Sequence, residues 1–110
     1  MPTSLRERHF VIAIIVSHDG ATWLPETVAS LTKQRHRIDQ IIAVDTSSKD
    51  GSVKLLKGAG ITVINADKNL GFGAAINTAL TSSKLESAPE GATEWIWLIH
   101  DDCAPSANAL

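Results

Sequence analysis

The sequence predicts an α/β fold: a Rossmann-like parallel sheet with helices on both faces, in the order β-α-β-α-β-α-β. Three observations predict it. Apolar, β-branched runs alternate with stretches of helical period. The runs are continuous rather than alternating, as expected of strands covered on both faces. A polar loop follows each run, and right-handed crossovers bring all such loops to one edge of the sheet.

His9 to Ser17 (HFVIAIIVS) is the first buried run. Ser17-His18-Asp19-Gly20 follows as a turn, with Gly20 for backbone freedom and Asp19 for local hydrogen bonding. Trp23, Leu24, Thr27, Val28 and Leu31 share one helical face, with Thr22 as N-cap and Pro25 in the first turn. Lys33, Arg35 and Arg37 crowd the exit, where cations suit the helix dipole. Ile38 to Val44 is the second strand and ends at Asp45; Thr46 to Ser52 is a hydroxyl-rich loop. A short helix from about Ser52 puts Val53 and Leu56 inward and stops at Gly58 to Gly60. Ile61 to Asn65 is a third strand, followed by a polar loop from Ala66 to Gly71. From Phe72 a helix turns Phe72, Ala75, Ile76, Ala79 and Leu80 to one side. Thr81 to Thr93, small and polar, reads as an exposed connection of freely variable length. Trp95 to Ile99 is the fourth strand, buried on both faces, and runs into His100-Asp101-Asp102.

Bulk properties narrow the function. The 110 residues suffice for one small domain, and a 44% apolar, 20% charged composition places it among globular chains. A net charge of -2 provides no field for nucleic acid or an anionic membrane. The single cysteine, Cys103, has no internal disulfide partner, which fits a reducing compartment. No apolar run approaches the roughly 20 residues of a bilayer span. Met1 to Arg8 has two arginines without an apolar region behind them, so it does not read as a secretory leader. The chain stops eight residues past Asp102, which suggests part of a larger domain.

The strand ends supply the chemistry. Asp101 and Asp102, aimed into the shared edge, repel each other unless a cation lies between them. Mg²⁺ or Mn²⁺, held by one or two carboxylates and a substrate phosphate, is such a cation. The competing role is to cap a turn that Pro105 and Ser106 favour. His100 could ligate Mn²⁺, orient a carboxylate or simply end the strand. Asp45 could accept hydrogen bonds from a ribose hydroxyl or a base N–H, or cap its own loop. Asn69-Leu70-Gly71-Phe72-Gly73 allows close backbone approach of an anion at a helix start, or only a tight turn. It is not a dinucleotide fingerprint, which belongs in the first βα turn. His18 could line a nucleotide cleft or be an ordinary loop histidine. Trp23, Trp95 and Trp97 read as core or domain contacts, and Cys103 as a small residue rather than a nucleophile. No Ser-His-Asp arrangement or zinc-type spacing occurs.

Four stretches, in order and in register, resemble the inverting glycosyltransferases of family 2, which have the GT-A fold. They are Val16 to Gly20, Val44 to Ser52, Asn69 to Asn77, and His100-Asp101-Asp102. The resemblance implies a nucleotide-diphosphate sugar donor of UDP or dTDP type, a glycan or lipid-linked acceptor, and a divalent metal, Mn²⁺ or Mg²⁺. It implies that Ser17 and His18 line the nucleotide, that Asp45 contacts the base, and that Asn69 and Gly71 close on the nucleoside. The D-x-D motif of the family holds the metal on the diphosphate, and its last acid maps to Asp102. His100 stands where the first acid is usual, with Asp101 between, on the nucleotide side. Either His100 supports its neighbours or Asp102 carries the metal nearly alone. The family's catalytic base lies beyond the metal motif, past Leu110, so the chain is expected to supply the donor-binding side of single displacement with little transfer of its own. The expected setting is cytoplasmic, at the inner face of a membrane if a longer parent carries membrane helices. Two other readings compete: a non-catalytic nucleotide-binding module, and a sugar-nucleotide nucleotidyltransferase. The latter needs a glycine-rich, basic first loop, and Ser17 to Thr22 has one glycine and no Lys or Arg.

Overall fold

The computed structural model describes residues 9–110. The Met1 to Arg8 segment, and with it the reading that it is no secretory leader, lies outside the described residues. Four strands, β1 (His9–Ser17), β2 (Gln40–Asp45), β3 (Thr62–Asn65) and β4 (Thr93–His100), form one sheet in the order β3-β2-β1-β4. Every neighbouring pair is parallel. The helices α1 (Leu24–Thr32), α2 (Ser52–Gly58) and α3 (Phe72–Leu80) provide the crossovers.

The chain winds outward from β1 to β2 and β3, then returns past both to place β4 on the other side of β1. With right-handed crossovers, that reversal sends α3 to the face opposite α1 and α2. The core is divided accordingly. Ala13, Ile15, Ala43 and Ile99 pack with Leu24, Leu31 and Leu56 on one face. Ile12, Ile14, Ile42 and Val44 pack with Ala75, Ile76 and Ala79 on the other. β1 is therefore covered on both sides, which is why its run from Val11 to Ile15 is unbroken by polar residues. The point where the winding reverses, between the carboxyl ends of β1 and β4, is where open α/β sheets place ligands.

Several expectations require correction. Backbone pairing in β2 begins at Gln40 rather than Ile38, because Asp39 occupies the preceding position with both its backbone and its side chain. The N–H of Val11 donates to Asp39 Oδ2 at 2.8 Å, and the N–H of Asp39 donates to the Val11 carbonyl at 2.8 Å. Thr22 is not the N-cap of α1. Trp23 holds that position with helical dihedrals and no side-chain cap, and the Gly20 carbonyl accepts from the N–H groups of Trp23 and Leu24. Trp23 lies outside the core, 58% exposed, because it precedes the helix face that Leu24, Thr27 and Leu31 bury. Leu80, in the last turn of α3, is also exposed.

β4 is not buried on both faces. It borders the sheet among the described residues, so Trp95 is 53% and Leu98 47% exposed, and Ile99 alone of the strand is buried. Trp97 packs partly against the core, whereas Trp95 sits in the open with its indole N–H donating to His9 Nδ1 at 3.0 Å. The connection after α3 is less free than its composition suggests. Gln40 pins it, donating to the Lys84 carbonyl and accepting from the Glu86 N–H, each at 2.8 Å, and Leu85 packs on the core.

Candidate functional site at the carboxyl edge of the sheet

The loop after β1 and the loop after β2 are laced together. His18 Nδ1 lies 2.6 Å from the Thr46 carbonyl, and a carbonyl only accepts, so Nδ1 carries the hydrogen. The Asp19 N–H donates to Ser48 Oγ at 2.8 Å, and the Lys49 N–H donates back to Asp19 Oδ1 at 2.7 Å. The Gly20 N–H donates to Ser52 Oγ at 3.0 Å, and the Ala21 N–H to Asp50 Oδ2 at 3.0 Å. Asp50 is in turn held by the Ser52 N–H and hydroxyl. Hydrogen bonding, first from the Ser52 hydroxyl and then from backbone N–H groups including Ala21, outweighs the opposing desolvation and lowers the Asp50 carboxyl below its ordinary value. Two non-glycine residues in these loops, Asp19 at φ 48° and Ser47 at φ 59°, adopt left-handed backbone. Such strain persists only where surrounding bonds over-determine it, as these do.

Asp101 joins the first loop to β4. Its Oδ2 accepts from the His18 N–H at 2.9 Å, and its carbonyl accepts from the Thr27 hydroxyl at 2.7 Å. Gly20 is buried against that carboxylate: a Cβ there would press on Oδ2 and lie 2.7 Å from Cγ. The expected pair of buried, mutually repelling acids is therefore corrected. β4 ends at His100, so both acids fall in the following turn, with Asp101 half-buried and bound to the first loop and Asp102 exposed.

Ser17 and Asp45 are register partners at the ends of β1 and β2, and both are buried. Asp45 receives the Ser48 N–H at 2.9 Å on Oδ2 and the Ser48 hydroxyl at 2.6 Å on Oδ1. The carboxylate thus caps its own loop, the simpler of the two roles its sequence allowed, with a second lone pair on each oxygen in reserve. Ser17 Oγ is buried without a hydrogen-bond partner among the described residues, although the Ser17 carbonyl is engaged by Thr46.

The loop after β3 completes the edge. The Asn69 N–H donates to Asp67 Oδ1 at 2.8 Å, and the Leu70 N–H to the Asp67 carbonyl at 3.0 Å. Gly71, extended at φ −72° and ψ 170°, opens α3 with no side chain capping it. The side-chain positions of Gly71 and Gly73 face open space, so the first N–H groups of α3 can be approached closely. Asn69 and Gly71 are exposed, as are His18, His100 and Asp102. His100 stacks on Phe72, with ring centroids 4.2 Å apart and planes 23° apart.

These loops carry Asp19, Asp45, Asp50, Asp67, Asp101 and Asp102 against Lys49 and Lys68. An anion meets net repulsion there unless a cation accompanies it. Among the described residues no three His, Cys, Asp or Glu side chains converge as a metal cage. Mg²⁺ and Mn²⁺ do not require one, since a single carboxylate, water and substrate phosphates suffice. Asp102 fits that need, being exposed and uncommitted to any hydrogen bond among the described residues. Asp101 is more constrained, because its Oδ2 is bound to His18 and packed over Gly20, while its Oδ1 makes no hydrogen bond among the described residues.

Reading the sequence alone missed the positioning roles of Thr27, Ser48, Asp50 and Ser52, and the partner of His100. The hydroxyl-rich run Thr46 to Ser52 was a signal for the loop lace. Nothing local in the sequence links Phe72 to a residue 28 positions later.

Comparison with known proteins bears on this edge. Residues 12–110 match the family described as glycosyl transferase family 2. Among solved structures, a mannosyltransferase from Pyrobaculum calidifontis in complex with GDP-Man and Mn²⁺ matches with a TM-score of 0.62 at 22% identity. The match covers 70% of this chain and 25% of the mannosyltransferase, so the likeness is one of fold over a quarter of that protein's length. No curated protein matches. With the family match running through β1 to β4 and every loop of the carboxyl edge, the chain belongs to glycosyl transferase family 2.

Proposed function

We propose that this chain binds the diphosphate and nucleoside of a nucleotide-sugar donor along the carboxyl edge of its sheet, as the donor side of a glycosyltransferase. The observation that carries the reading is the family match over residues 12–110. The joining of the loops after β1 and β2, and of Asp101 to the first of them, beside the reversal of winding supports it, as does the uncapped start of α3. Ser17, His18 and Asp45 line the nucleoside side, and Asn69 and Gly71 approach it from the α3 loop. The Asp45 carboxylate, fixed by Ser48, is held ready to accept a further hydrogen bond. Asp102 holds the divalent ion. When bound, that ion neutralises charge on the leaving diphosphate. Asp101 keeps the first loop in place beneath the donor.

Transfer in this reading is a single displacement with inversion. An acceptor hydroxyl oxygen, on a glycan or lipid-linked sugar, bonds to the anomeric carbon as the bond to the diphosphate breaks. Deprotonating that hydroxyl requires a general base, a role we assign to none of residues 9–110. A second reading, a nucleotide-binding module without transfer, draws support from the commitment of the Asp45 and Asp101 carboxylates to loop hydrogen bonds.

Calorimetry with UDP, dTDP and GDP, with and without Mn²⁺, tests the proposal. GDP is included because the mannosyltransferase relative was solved with a guanosine donor. The expected result is Mn²⁺-dependent binding that Asp102→Ala weakens about tenfold or more, a loss of about 1.4 kcal/mol. Absence of binding by all three nucleotides in both conditions refutes the proposal. Binding that needs no metal and ignores Asp102→Ala favours the non-catalytic module.

A further inference from the structure

His100 closes β4 opposite Val16 of β1, and strand alternation places it on the face that α3 covers, with Ile96. No hydrogen bond among the described residues uses its ring nitrogens. Its ring is instead committed to Phe72, at a centroid distance of 4.2 Å and a tilt of 23°, a stacked arrangement. Phe72 is the first residue of α3 and is partly buried against the cluster of Ile12, Ile14, Ile42 and Val44. It is flanked by Gly71 and Gly73, and Ala74 beyond them is small and exposed. Within the Asn69–Gly73 segment Leu70 and Phe72 both pack on the core, and Phe72 also stacks on His100. What Phe72 reaches, beyond the core, is the end of β4, two residues before Asp102.

We infer that the Phe72–His100 stack is a clamp that sets the Asn69–Gly73 segment against the end of β4, making His100 a positioning residue rather than a metal ligand. This deepens the proposed function and rests on it for its effect on donor binding. The chemistry of the pair agrees. The face of an aromatic ring carries negative charge density, so a carboxylate at position 100 would be repelled from Phe72, whereas an imidazole ring stacks on it. Position 100 is thereby matched to an aromatic partner on α3. The metal is left to Asp102, and the backbone N–H groups after Gly71 are held at a fixed distance from that acid.

The test uses His100→Ala, His100→Phe, Phe72→Leu and the double variant His100→Ala/Phe72→Leu. Leucine at 72 keeps the core contact and loses the stack. The first readout is hydrogen exchange in the ligand-free chain at Ala75, whose N–H makes the first bond of α3, to the Gly71 carbonyl at 2.9 Å. His100→Ala and Phe72→Leu should each speed that exchange about two- to tenfold, His100→Phe should not, and the double variant should add little to either single one. The second readout is calorimetry with UDP, dTDP and GDP across a Mn²⁺ series. His100→Ala should weaken the nucleotide without changing the Mn²⁺ concentration needed for half-maximal binding, and His100→Phe should restore wild-type affinity. Unchanged exchange in both single variants overturns the clamp. So does a His100→Phe protein that behaves like His100→Ala, or a Mn²⁺ requirement that rises in both, which is the signature of a lost ligand. If no nucleotide binds the wild-type chain, the proposed function fails and the exchange result still decides whether the clamp exists.

Discussion

Gly20→Ala tests the joint between the first loop and β4. Gly20 is buried and its φ is not in the left-handed region, so the substitution meets no backbone objection. The objection is steric and specific. The new Cβ would press on Asp101 Oδ2 and lie 2.7 Å from Cγ and 3.0 Å from Cβ. The carboxylate can escape only by leaving the His18 N–H that it accepts at 2.9 Å. A hydrogen bond to a charged group contributes about 1.5–3 kcal/mol, and partial exposure of this one argues for the lower end. Overpacking that is not relieved costs about 1–3 kcal/mol. These are alternatives rather than a sum, because moving the carboxylate relieves the clash as it breaks the bond. The expected cost is about 2 kcal/mol, or about 8–16 °C in Tm for a domain of this size. Urea unfolding of the wild type, Gly20→Ala, Asp101→Ala and the double variant measures it. In the Asp101→Ala background the carboxylate is gone and only the 3.0 Å contact with the Cβ of residue 101 remains, so Gly20→Ala should then cost about 1 kcal/mol less than in the wild type. An equal cost in both backgrounds, or none in the wild type, would show that the Asp101 carboxylate is not what Gly20 makes room for.

Two further outcomes follow from the same loops. Thr27→Val keeps the shape of a buried side chain but removes the hydroxyl that donates to the Asp101 carbonyl, and should cost about 1–2 kcal/mol in urea unfolding. Asp50→Asn should flatten the acid limb of a Tm-against-pH profile. The folded carboxyl is lowered, so the unfolded chain binds more protons; the stabilisation is complete above the unfolded value of about 3.9 and lost as pH falls through the lower folded one. A variant whose acid limb matches the wild type would remove Asp50 from the account.

The strands were legible because their physics is local. A run such as Val11 to Ile15 has no polar residue, and only a strand covered on both faces hides it. The same inference failed for Trp95 to Ile99, which is equally apolar but lies at the border of the described sheet. Position in the sheet is set by the crossover that follows β3, and composition does not record it. Helix starts were legible from Pro25 and Gly71, but Thr22 misled because the Gly20 carbonyl supplies what its hydroxyl was expected to supply.

The α/β class, the order of elements and the set of polar strand ends are written in the sequence, since each depends on patterns within about ten residues. It also carried the family motifs, which are short and contiguous. What each polar end does depends on the packing of the strands and loops around it. Asp101 and Asp102 are adjacent and chemically identical, yet one is packed over Gly20 and bound to His18, and the other is exposed. His100 meets Phe72 because the reversal of winding puts α3 on the face of the sheet that carries His100. Hydrogen bonds and stacks across strand ends join residues tens of positions apart, and their partners are chosen by topology rather than by neighbouring sequence.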